Sequence, residues 1–208
     1  MDILAAERAR HVRRGAALEW AGIGYNCLEA LIALAAGILA GSVALVGFGL
    51  DSVIEVTSGS ALLWRLRADA DHAARERAEG ASLKIVGSCF LVLAAYVAWE
   101  AAESLLRTEA PRASVPGILL AIASLVVMPL LSRAKRRVAG QIRSAALAAD
   151  SKQTELCAWL SAILLAGLVL NAAFGWWWAD PVAGLVMTPI IAREGIAALR
   201  GRSCCDCH

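Results

Sequence analysis

The sequence lacks the short motifs that carry most soluble enzyme chemistry. Its 208 residues contain no phosphate-cradling glycine loop, no nucleophile motif and no H-E-x-x-H pair. No catalytic residue and no resident cofactor is therefore expected, and the chain does not read as an enzyme. Histidine is scarce, with three in all, and two of them, His11 and His72, lie in charged segments where a solvated side chain is the default. A large charge of one sign is also missing. The formal net charge is +2, which argues against a nucleic-acid partner. The first fourteen residues are charged, and no small-residue cleavage site follows an isolated apolar core, so no cleavable signal peptide is expected.

What is abundant is apolar sequence, at 59% hydrophobic residues, and it falls into six runs. These lie at about 15–40, 42–64, 81–106, 115–131, 148–174 and 181–199, each near the roughly 20 residues that cross a bilayer as helix. The expected fold is all-α: a polytopic membrane protein built as a six-helix bundle in a lipid bilayer, flanked by segments 1–14 and 200–208. Of the 20 basic residues, all but Arg107 and Arg112 fall at the N-terminus, after the second run, after the fourth run or at the C-terminal side. The positive-inside rule then places both termini in the cytoplasm, with the cell membrane as the expected location. The consecutive residues Trp176, Trp177 and Trp178 suit an outer interfacial belt.

The stretch GSVALVGFGLDSVIEVTSG, residues 41–59, places two carboxylates, Asp51 and Glu55, one helical turn apart on one face of the second run. An acid near the bilayer centre costs about 2.5 to 3.5 kcal/mol on insertion scales, so the pair calls for a function, and half of a cation site is the simplest one. In the fifth run Gln153 and Cys157 repeat the same spacing. Entering from opposite faces at about 1.5 Å per residue, Asp51 lies about 14 Å deep and Cys157 about 15 Å deep, so the two are level, as are Glu55 and Gln153. Two antiparallel helices thus bring four ligand groups to one point. Asp150 precedes Gln153 by three residues on the same face and is an entry ligand by position, whereas Glu155 points away. In the first run Glu19, Asn26 and Glu29 lie within about 80° of one another and form a polar stripe. Cys27 and Cys89 read as small core residues. The C-terminal Cys204, Cys205, Cys207 and His208 are soft and borderline donors suited to collecting zinc or Cu(I), although C-x-x-C alone is half a zinc motif.

These features resemble the cation diffusion facilitator family. GSVALVGFGLDSVIEV resembles its second transmembrane helix, ADSKQTELCAWLSAI (149–163) its fifth and WADPVAGLVMTPIIAREGIAAL (178–199) its sixth. The resemblance implies export of a divalent metal, zinc or a relative, in exchange for protons, with Asp51 and Glu55 at the second-helix ligand positions. The sequence departs from the family where a histidine or aspartate, and then an aspartate, is usual in the fifth helix; Gln153 and Cys157 stand there instead. Glu29, at similar depth, is expected to supply the missing third carboxylate to the metal, the alternative being a helix-packing or proton-relay group. The family's C-terminal cytoplasmic domain is absent from this sequence, so a homodimer would have to form through transmembrane surfaces. The expected cargo is Zn2+, with Fe2+, Mn2+, Co2+ and Cd2+ as the other candidates. The rival reading is a membrane metal-binding or sensor protein that does not transport and works through its Cys/His tail.

Overall fold

A computed structural model describes residues 2–67, 72–107, 111–142 and 144–200, and these residues form six α-helices with no strand among them. The helices are α1 (Asp2–Ala40), α2 (Val43–Arg67), α3 (His72–Arg107), α4 (Val115–Ile142), α5 (Ala145–Phe174) and α6 (Ala179–Leu199). All six are long and apolar enough to cross a membrane. The fourth continues to Ile142 instead of ending near residue 131. Its basic residues do not stop it, because Arg, Lys and Ala are all good helix formers.

Local chemistry sets the helix ends. Between α1 and α2, Gly41 takes φ +68°, and Ser42 N donates to Gly37 O (3.0 Å), a Schellman closure that turns the chain back at once. Ser144 caps α5 by accepting from Leu147 N at 3.3 Å. At the far end of α5, Gly175 adopts φ 66° and returns its N–H to Asn171 O. Just beyond it the Trp176 and Trp178 rings stack with centroids 5.2 Å apart.

The helices pair as α1 with α2, α4 with α5, and α3 with α6. Helix α2 also packs on α3, α5 and α6, and α1 packs on α4, which places α2 at the centre. It is the most enclosed of the six, with 56% of its apolar window buried against 28–44% for the others. The bundle presents apolar side chains outward: Leu31, Ile38, Leu39, Trp99 and Leu106 are all exposed. Its interior holds Glu19, Asn26, Glu29, Asp51, Ser52, Glu55, Ser124, Lys135 and Asp150, all buried. Such an arrangement fits lipid as solvent, since polar groups must then find partners inside. Cys27 and Cys89 lie on the exposed outer surface, not in the core as expected. Their helix faces turn away from the polar stripe, toward apolar surroundings that a thiol tolerates well.

Helices α3 and α6 approach closely where two glycines face each other. A Cβ added to Gly87 would stand 2.8 Å from Gly195 O and 3.0 Å from Leu199 N, both backbone atoms that cannot step aside alone. Gly87→Ala should therefore lower the thermal midpoint of the detergent-solubilised chain, consistent with an overpacking cost of about 1–3 kcal/mol. Gly140→Ala, which meets nothing within 4 Å, should leave the midpoint unchanged or raise it. Thermal unfolding of both variants followed by size-exclusion chromatography checks the contrast.

Candidate metal centre

Helix α2 supplies Asp51 and Glu55 from one face, and α5 brings Cys157 against them. One ligand atom from each of the three lies within 4.8 Å of the other two. All three are buried, at 3%, 5% and 1% exposure. Donors bound about 2.0–2.3 Å from one zinc ion in a tetrahedral site stand roughly 3.3–3.7 Å apart, so rotamer adjustments of about an ångström close this set on an ion.

The surroundings orient these donors. Asn26 on α1 donates from Nδ2 to Glu55 Oε2 at 2.6 Å. That bond leaves Glu55 Oε1 and Asn26 Oδ1 buried without hydrogen-bond partners, two orphaned oxygens on side chains already joined. Cys157 Sγ faces Glu29 Oε2 at 3.9 Å. Glu29 is held in turn by Ser52 Oγ on α2 (2.8 Å) and by the Ser124 hydroxyl on α4, and Tyr25 OH lies 2.9 Å from Ser124 Oγ. With Ser124 donating to Glu29, Tyr25 donates to Ser124. Glu29 therefore touches the cluster through Cys157, but it is not among the three residues whose donors all lie within 4.8 Å of one another.

The other expected site residues have different partners. Gln153 is half-buried; its Oε1 accepts from Ser58 Oγ on α2 at 3.1 Å, and its Nε2 is buried without a partner. Asp150 pairs with Lys135 at 2.5 Å. Glu155 is exposed in an ion pair with Arg136, away from the interior. Cys204, Cys205, Cys207 and His208 lie outside the described residues.

Sequence reasoning passed over two participants. Asn26 belonged to the polar stripe of the first run, but nothing in the stripe indicated that it, not Glu29, reaches Glu55. Lys135 sits in a basic run that reads as loop, yet it is 4% exposed inside the bundle. The run is helical, and of its members Lys135 turns inward while Arg133, Arg136 and Arg137 turn out.

The fold and this cluster define a multi-pass integral membrane protein with two carboxylates and a thiol enclosed among its helices. Residues 20–201 match the cation efflux transmembrane domain, and the chain belongs to that family. Among curated proteins it is similar to an uncharacterized transporter of Synechocystis sp., at 29% identity over 158 residues. The matched stretch covers 73% of this chain and 51% of the relative, so the chain spans about half the length of the curated protein it matches.

Because Asn26 is the residue that fixes one Glu55 oxygen, Asn26→Ala should weaken zinc binding by about 10- to 100-fold, the usual range for losing a partner of a metal ligand. Asn26→Asp, which can itself offer an oxygen donor, should lose less. Calorimetric titration of the purified variants with zinc measures the difference.

Proposed function

We propose that the chain carries a divalent transition-metal ion, zinc first among the candidates, out of the cytoplasm in exchange for protons, with Asp51, Glu55 and Cys157 holding the ion in transit. The single observation behind this reading is the burial of two carboxylates and a thiol within 4.8 Å of one another at the centre of a bundle with an apolar exterior. Such a set has little structural value of its own in lipid, because burying acids is costly unless a cation offsets them.

A thiol binds metal as thiolate, so its proton must leave as the ion arrives. Glu29 is the acceptor that Cys157 already faces, and Ser124 and Tyr25 extend the hydrogen-bonded chain from there. In this reading Glu29 moves the displaced proton and does not serve as a third ligand. Gln153 becomes an oxygen donor when its amide turns from Ser58, and Asp150 lies on the approach. When the site is exposed to the opposite side, protons return to Asp51, Glu55 and Cys157 and release the ion. The basic segments support a topology with both termini on the cytoplasmic side of the cell membrane. No covalent bond of a substrate is made or broken, so the protein works as a carrier and not as an enzyme.

Two carboxylates and a thiol form a borderline donor set, which favours zinc and cadmium relative to an all-oxygen site, while Mn2+, Fe2+ and Co2+ remain acceptable to the carboxylates. Asp51→Asn and Glu55→Gln should each abolish zinc uptake into inverted membrane vesicles without altering membrane insertion, since the amides keep the shape and remove the charge. Uptake at the wild-type rate by either variant would refute the site. Cys157→Ser should lower the Cd2+ to Mn2+ uptake ratio about tenfold while zinc uptake persists, because a hydroxyl is a hard donor in place of a soft one. A competition series in the same vesicles reads that ratio.

A further inference from the structure

A second group of buried charges lies apart from the cluster. Lys135 on α4 sends its Nζ to Glu19 Oε2 on α1 (3.1 Å), Asp150 Oδ2 on α5 (2.5 Å) and Thr154 Oγ1 on α5 (3.4 Å). Glu19 is 1%, Lys135 4% and Asp150 8% exposed. Along α5, Asp150 precedes Cys157 by two turns, or about 10 Å, toward the end of the bundle where α1 and α5 begin. Glu19 precedes Asn26 by the same interval on α1. The two groups are thus stacked along one interior path.

Three features mark this as more than a structural ion pair. The group brings two carboxylates to one ammonium, so as fully ionised groups it keeps an excess negative charge that burial makes costly. Glu19 Oε1 is also buried with no hydrogen-bond partner, an acceptor position left open beside the ammonium. Finally, bare backbone surrounds it. A Cβ on Gly22 would come within 3.4 Å of Lys135 Nζ, and one on Gly59 within 3.3 Å of Glu19 Oε2, so α1 and α2 leave room where side chains would crowd it.

We propose that Glu19, Asp150 and Thr154 form a second cation site on the way to the Asp51–Glu55–Cys157 cluster, and that Lys135 fills it as a tethered cation until a divalent ion displaces the ammonium. The point occupied by Nζ lies within 3.1 Å of both carboxylates, and contraction by about an ångström or less reaches the metal–oxygen distances of about 2.0–2.2 Å. A divalent ion there neutralises both carboxylates, which one ammonium does not. The donors are all oxygen, so the site suits a hard or borderline ion such as Mn2+, in contrast to the thiol-bearing cluster. The proposal rests on the transport reading only for the direction of travel; binding at the site stands by itself.

The test uses the full chain in detergent, titrated calorimetrically with Mn2+ in a background of Asp51→Asn and Glu55→Gln that disables the cluster. The double variant should retain weak binding of one ion. Adding Lys135→Met should tighten that binding at least tenfold, and adding Asp150→Asn to the triple variant should weaken it at least tenfold again. A monodisperse triple variant that binds no Mn2+, or binds it regardless of Asp150→Asn, overturns the proposal. Should Lys135→Met fail to fold, the lysine-bearing double variant decides: its residual Mn2+ binding must be lost on adding Glu19→Gln, and no residual binding, or binding indifferent to that change, rejects the site. Failure of the cluster itself reads out separately, as equal zinc binding by the wild-type chain and the double variant.

Discussion

A carboxylate enclosed by helices whose outer faces are apolar has no water to turn to, and the placement of Asn26, Ser42, Ser52, Ser124 and Lys135 follows from that. Asp51 and Glu55 sit on the most enclosed helix, so their partners must come from the helices around it. Asn26 of α1 reaches Glu55, and Cys157 of α5 closes on both carboxylates; around them Ser124 of α4 holds Glu29 of α1, and Lys135 of α4 joins Glu19 of α1 to Asp150 of α5. Hydroxyls do much of this work because they donate to a carboxylate at little steric cost. The packing of α1 on α2 and α4, and of α2 on α5, is thus fixed by polar contacts as well as by the packing of Leu45, Phe48 and Met128.

Helices α3 and α6 lie outside this polar wall and stiffen it. Their contact is made through glycines, with backbone against backbone, and they join the rest mainly through α2 and α5. One polar link is nevertheless decisive at the Gly41 end. Asp180 of α6, fully buried, accepts from Ser42 Oγ (2.5 Å) and Ala44 N (3.4 Å), supplying an acceptor to an otherwise unsatisfied first-turn N–H of α2. The opposite end is drawn together by Lys135 bridging α1, α4 and α5. One end is therefore pinned by a neutral donor and a helix start, the other by an ion-pair group shared among three helices.

The six spans were legible because hydropathy and charge segregation act over whole segments, where no tertiary detail is needed. The cluster was legible in part, and for a geometric reason. Helical rise converts sequence position into depth, so Asp51 and Cys157 could be judged level before any contact was known. What rise does not give is rotation about the bundle axis and the reach of side chains from a third helix. On that account the sequence did not show that Asn26 is the residue of the stripe that reaches Glu55, whereas Glu29 faces Cys157. Lys135 was hidden by its neighbours: a run containing Arg133, Arg136 and Arg137 reads as solvated, and only the turn of α4 shows that one of its members faces inward. Cys27 and Cys89 failed in the opposite sense, since a small soft side chain carries no sequence sign that distinguishes a core face from a lipid face.

The interior is also divided along its length. On α5, Asp150, Thr154, Cys157 and Ser161 succeed one another at intervals of three or four residues and are all buried, a polar stripe that meets Asp51 and Glu55 of α2 at Cys157. Beyond Ser161 the same face continues as Leu164 and Leu168, and beyond Asp51 toward Gly41 the α2 face becomes Phe48 and Leu45, all within one packed apolar cluster. An ion held at the cluster thus has polar side chains on one side and a dry plug on the other. Movement past Phe48 and Leu164 requires the helices themselves to part, because a hydrophobic constriction has no donors to replace the ion's hydration shell. Loss of the Lys135 bridge would remove the ionic link of α4 to α1 and α5 at one end only. On the proposed carrier reading the two ends therefore have different tasks, with side-chain exchange sufficient at one and rearrangement of whole helices required at the other.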